Sequence, residues 1–129
     1  MNKEPYVLPK FENEQEVLLY SIYKVIEQGK QSSDISGMCQ YRTGCLKCAV
    51  GWLIDDEHYI RSIEGSGLNR WVMDKVKSST NDKVNFKYLD VLQNCHDFSE
   101  SDTFVEEFKI KINNRVNIGE LPEYCRQEV

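Results

Sequence analysis

Three of the chain's five cysteines, Cys39, Cys45 and Cys48, crowd into one stretch, CQYRTGCLKCAVGWLIDDEHY, together with Arg42 and Lys47 and ahead of Asp55, Asp56, Glu57 and His58. Cys45 and Cys48 have the two-residue gap of a zinc knuckle, and Cys39, Cys95, His96 or Cys125 would complete the four ligands. A second closely spaced pair is missing. Cys95 and His96 are adjacent, and on a helix adjacent side chains diverge by roughly 100°. The plainer reading makes Cys48 and Cys95 small buried hydrophobes and assigns no metal. A cysteine nucleophile is the second possibility, with Cys48 acidified at a helix start, His96 as base and Asp55 or Asp56 orienting it. Asp97, next to His96 in the chain, is poorly placed to do so. No local pattern matches a cysteine hydrolase, so no catalytic residue is assigned. The acidic group Asp55–His58 suits a divalent cation or acid–base work on a glycosidic bond, but it lacks EF-hand spacing, and a solvated loop explains it.

Anion binding is the chemistry the residues favour. Tyr41 and Arg42 precede Gly44, with Lys47 and Trp52 just beyond; a ring beside a guanidinium stacks on a planar group and forks onto a phosphate. The stretch EGSGLNRW adds a glycine-rich turn into a helix, with Arg70 and Trp71 in the first turn and amide donors for an anion. His96 and Asp97 would orient the arginine or the turn. Neither GxxxxGK[ST] nor GxGxxG occurs in the chain, so no nucleotide cofactor is expected.

These side chains need a scaffold, and 129 residues at 40% hydrophobic suffice for one domain with one core. A net charge of −5 argues against DNA, RNA and anionic lipid as general partners. The longest uncharged apolar run, CAVGWLI, is too short to cross a bilayer, and the first residues carry no signal-peptide core, so a cytoplasmic, membrane-free protein is expected. The odd cysteine count fits reduced thiols.

Hydrophobic spacing predicts a mainly α, single-domain bundle of about five helices behind an N-terminal arm over 1–11, with a C-terminal tail over 120–129. The first helix carries Leu18, Leu19, Ile22, Val25 and Ile26 on one face, capped by Asn13 and ended by Gly29. QSSDISG reads as a loop, and 38–45 as a short extended piece and an irregular turn. Leu46 to Ile54 is so uniformly apolar that a buried helix is expected, with Gly51 close against another helix, then an exposed loop, DDEHYIRSIEGSG. A third helix carries Leu68, Trp71, Val72 and Val76, and a fourth, Asn85 to about His96, turns Phe86, Leu89, Leu92 and Cys95 inward. The fifth buries Phe104, Val105, Phe108 and Ile112, although FKIKINNRVNI also alternates like a strand.

Cys39, Tyr41 and Arg42, Gly44, the run Lys47 to Gly51, Leu53, Ile54, Asp56 and Tyr59, then Leu92, Gln93, His96 and Asp97, form a pattern that resembles small phage and prophage proteins of unassigned activity. The likeness covers the middle of the chain, departs at Thr43, where a second glycine is usual, and leaves out Cys45 and Cys95. It implies phage origin. By analogy of context it implies a homo-oligomeric, non-enzymatic binding protein that sequesters a small phosphorylated ligand, such as a nucleotide signal of host defence. The alternatives are a small hydrolase using Cys48 or His96 with an acidic partner, and an inhibitor that binds a host protein.

Overall fold

The computed structural model describes residues 5–33, 39–81, 86–99 and 101–115, and the chain is mainly α-helical over them. Four α-helices are present among the described residues: α1 Glu14–Gln28, α2 Arg70–Thr80, α3 Phe86–Asp97 and α4 Phe104–Arg115. Val17, Leu18, Ile22 and Val25 of α1, Val72 and Val76 of α2, Leu89 and Leu92 of α3 and Phe104, Phe108 and Ile112 of α4 meet in one core cluster. The C-terminal tail and Cys125 lie outside the described residues.

Local chemistry sets the helix ends. Asn13 is extended and its side chain accepts from the N–H of Glu16, satisfying one of the first-turn donors; Gly29 ends α1 in the left-handed region at φ 75°, returning its N–H to Val25. Asn69 caps α2 in the same way through the N–H of Val72. In α4 the helical reading holds through Arg115, because three apolar residues on one helical face bury fully where a strand would bury alternate ones.

The expected helix over Leu46 to Ile54 does not form, which is why four helices stand where about five were predicted. Instead β1 Arg42–Thr43 and β2 Leu46–Lys47 make a two-stranded antiparallel hairpin, with Arg42 opposite Lys47, around a left-handed Gly44 at φ 58°. A single 3-10 turn follows at Gly51–Leu53. The segment is apolar because it is sealed in the core, where its amides and carbonyls are met by side chains from elsewhere. Gln28 holds both the N–H and the carbonyl of Lys47, Ser21 donates to the carbonyl of Ala49 at 2.8 Å, and Gln93 accepts from the N–H of Val50 at 3.1 Å. Gly51 presses on the Tyr41 carbonyl rather than on a helix; a Cβ there would stand 2.0 Å from that oxygen.

One further expectation changes. The stretch after Asp55 is not simply an exposed loop, since Ile63 in its 3-10 turn is fully buried and anchors it to the core. Tyr6, in the N-terminal arm, exchanges backbone hydrogen bonds with Asp56: its carbonyl accepts from the Asp56 N–H, and its own N–H donates to the Asp56 carboxylate.

Candidate functional site

The hairpin and the Tyr59–Glu64 segment close around Glu64. Its two carboxylate oxygens accept from the backbone N–H groups of Tyr41 and Arg42 at 2.8 and 2.9 Å, and from the Tyr59 hydroxyl. Burial and the hydrogen bond to Glu64 push the Tyr59 phenol up to about 12, so it stays a donor. Arg42 lies over the Tyr59 ring at 4.2 Å; its guanidinium donates to Asp56 Oδ1 at 2.6 Å and to the Ile54 carbonyl at 2.9 Å. Its Nε is buried with no hydrogen-bond partner among the described residues. Burial alone would raise the Asp56 carboxyl, but the N–H of Tyr6 and the Arg42 guanidinium outweigh it and hold the group below the usual carboxylate range.

Beside this cluster lies a cavity of about 680 Å³ lined by Gln40, Arg42, Thr43, Gly44, Tyr59, Arg61 and Glu64. Its charged lining is two guanidinium groups and one carboxylate, the latter already holding three hydrogen bonds. Arg61 is exposed and pairs with no carboxylate among the described residues. The Thr43 hydroxyl oxygen accepts from Ser32 at 3.1 Å, which leaves its own proton to donate.

Of the residues expected to bind a ligand, only Arg42 lines this cavity. Tyr41, just before β1, lies elsewhere, buried, with its hydroxyl on the Ser66 carbonyl at 2.8 Å, and it does not line the arginine's hollow. Lys47 stands across the hairpin from Arg42, its Nζ 4.8 Å from the Tyr6 and Trp52 ring centres, with its pKa lowered by burial and then by Arg42. Trp52 is half-buried among Tyr6, Lys24 and Lys47. Arg70 and Trp71 are exposed on the first turn of α2 and line no part of the cavity; the inward face of that helix falls to Val72, Met73 and Val76.

His96 is fully buried and tied into the framework. Its Nε2 accepts from the Ser32 N–H at 3.0 Å, so the ring proton sits on Nδ1 and is donated to Asp97 Oδ1 at 2.8 Å. Asp97 therefore does orient its sequence neighbour, against expectation. Asp97 Oδ1 also accepts from Gln93, whose own oxygen holds Val50, while Ser32 continues to Thr43; the imidazole thus braces the hairpin rather than the arginine directly.

The same bonds bear on one of the two places where possible metal ligands converge among the described residues. The donor atoms of Cys39, His96 and Asp97 fall within 4.8 Å of one another, yet with one ring nitrogen protonated and the other accepting, His96 has no lone pair for a cation. Cys45 is exposed and Cys48 fully sealed, so the supposed knuckle does not converge. Burial pushes the Cys48 thiol up to about 12, away from the thiolate a nucleophile uses, and no α-helix begins beside it among the described residues. Asp55 and His58 form a local pair, with Nδ1 to Oδ1 at 2.7 Å, beside an exposed Glu57.

Gln40, Thr43, Tyr59, Arg61 and Glu64 were not chosen from the sequence as ligand-facing. Tyr59 belongs to the phage-like pattern, but Arg61 and Glu64 flank a buried Ile63 in a stretch whose polarity disguises that anchor. No protein-family model matches the chain, and it shows no significant similarity to any curated protein or solved structure.

Proposed function

We propose that this chain is a non-enzymatic binding protein that takes the anionic group of a small phosphorylated ligand in the cavity beside the hairpin. The observation that carries the reading is Arg61, an exposed guanidinium with no carboxylate partner among the described residues, on the wall of a hollow it shares with Arg42. Arg42, held by Asp56, the Ile54 carbonyl and the Tyr59 ring, presents a charge already fixed in place, which lowers the ordering cost of binding. Arg61 closes as the second fork, and the Thr43 hydroxyl supplies a neutral donor. A nucleotide signal of host defence, as the phage-like pattern implies, is the ligand class to test first.

Support for the enzyme alternative is thin, because Cys48 is sealed and both nitrogens of His96 are occupied. The test is calorimetric titration with inorganic pyrophosphate and with a mixture of nucleotides, on the wild type and Arg61→Ala. Binding that weakens with salt, and at least tenfold in the variant while its circular dichroism is unchanged, is expected. Bound nucleotide should be recovered intact after denaturation. No anion binding, or equal binding by Arg61→Ala, overturns the site; recovery of altered nucleotide overturns the non-enzymatic assignment.

A further inference from the structure

Asp56 does not line the cavity, yet it divides its carboxylate between the cavity's fixed cation and the N-terminal arm. Oδ1 accepts from Arg42 at 2.6 Å and Oδ2 from the Tyr6 N–H at 2.7 Å, while the Asp56 N–H donates to the Tyr6 carbonyl at 3.0 Å. Fifty positions of sequence separate Tyr6 from Asp56, so only packing joins them. The Tyr6 side chain fastens the same place. Its hydroxyl donates to the Trp52 carbonyl at 2.7 Å and so accepts from the Tyr20 hydroxyl at 2.8 Å, and its ring meets the Trp52 ring edge-on at 5.6 Å. Burial raises the pKa of this phenol, which stays a neutral donor.

The division of Asp56 governs what Arg42 has to offer. A carboxylate with both oxygens free forks onto a guanidinium through two parallel hydrogen bonds. With Oδ2 taken by the arm, Arg42 bonds one oxygen of Asp56 and the Ile54 carbonyl, which leaves one N–H on each terminal nitrogen. Resting on the proposed anion site, we infer that Tyr6 and Asp56 are positioning residues for it: with the arm seated, Arg42 faces the anion from a single-oxygen tether, and with the arm lifted, Asp56 turns both oxygens onto the guanidinium and competes with the ligand. Neither residue lines the cavity, so both act through Arg42. Seating of the arm and binding of the anion favour one another, and linkage makes the factor the same in both directions.

Amide hydrogen exchange followed by NMR, and calorimetric titration with inorganic pyrophosphate, read the two directions. Saturating pyrophosphate should slow exchange at the Tyr6 and Asp56 amides about fivefold, and Tyr6→Ala should weaken pyrophosphate binding by about the same factor. Tyr6→Phe, which keeps the ring, should fall between. A purely structural Tyr6 would not give this pattern, because local lifting of an arm is blind to a ligand that neither contacts it nor is coupled to it. The exchange measurement uses the unaltered chain and so holds even where a variant does not fold. If pyrophosphate binds and weakens in Arg61→Ala, but the two amides exchange at an unchanged rate or a folded Tyr6→Ala binds as well as the wild type, the coupling fails while the anion site stands. If pyrophosphate does not bind the wild type, both fail.

Discussion

His96 and Arg42 each hold a carboxylate oxygen at hydrogen-bonding distance, 2.8 Å to Asp97 and 2.6 Å to Asp56, yet the two regions around them do different work. Around His96, both ring nitrogens are occupied and the ring is out of reach of solvent, so the hydrogen bonds lock Ser32, Gln93 and, through them, the hairpin. Around Arg42, the bonds fix one side of a charged cluster whose other side lines a cavity with Arg61 on its wall. Residue type is therefore a poor guide to role. What separates a brace from a binding group is whether charge and hydrogen-bonding capacity are left over, facing a hollow.

The largest expected effect lies in the first region. His96→Ala leaves a void and strands the Ser32 N–H and the Asp97 carboxylate, so it should cost about 3–4 kcal/mol of unfolding free energy, read from urea melts. A cost below about 1 kcal/mol would show that the imidazole is not a brace. Gly51→Ala comes next. Its Cβ meets the backbone oxygen of Tyr41, which cannot swing aside like a side chain, so a loss of about 2–3 kcal/mol is expected.

In the second region the order of effects reverses between stability and affinity. Arg61→Ala should change stability by less than about 0.5 kcal/mol while weakening pyrophosphate at least tenfold, about 1.4 kcal/mol. Tyr59→Phe removes one hydrogen bond to Glu64 and should cost about 1 kcal/mol in the same melts. A pH dependence follows from the same hydrogen bond. The Tyr59 phenol titrates near 12 in the folded chain against 10 when unfolded, so its contribution is whole below pH 10 and drains away as pH rises toward 12. Urea midpoints taken across that window should fall more steeply for the wild type than for Tyr59→Phe. Parallel curves would mean that the phenol is not coupled to folding. Asp56 works at the other end of the scale: its folded pKa is depressed, so its contribution is present above the ordinary aspartate range and is lost as pH falls through the folded value.

How far the molecule was legible follows the range of the interactions. Asn13 and Gly29 bound α1 as expected because an N-cap and a left-handed C-terminal glycine act within a few residues of chain. The inward faces of α3 and α4, with Leu89, Leu92, Phe104 and Phe108, were likewise readable from a 3.6-residue period. The 46–54 run misled because helix and sealed loop share one hydrophobic signature, and the difference lies in Gln28, Ser21 and Gln93, which come from 19 to 43 positions away. Arg42 was recognisable by type, whereas Arg61 and Glu64 join it only because Ile63 is drawn into the core.

By itself the amino-acid order determined the helix ends, the apolar faces and the mainly helical class, since each depends on neighbours a turn or two apart. Only the tertiary structure decided that Tyr41 turns inward while Arg42 meets a cavity, and that His96 accepts at Nε2 and so carries its proton on Nδ1. Those outcomes depend on which distant donor or acceptor reaches each buried polar group, and the free energy of leaving such a group unmet enforces the choice only once the chain has packed.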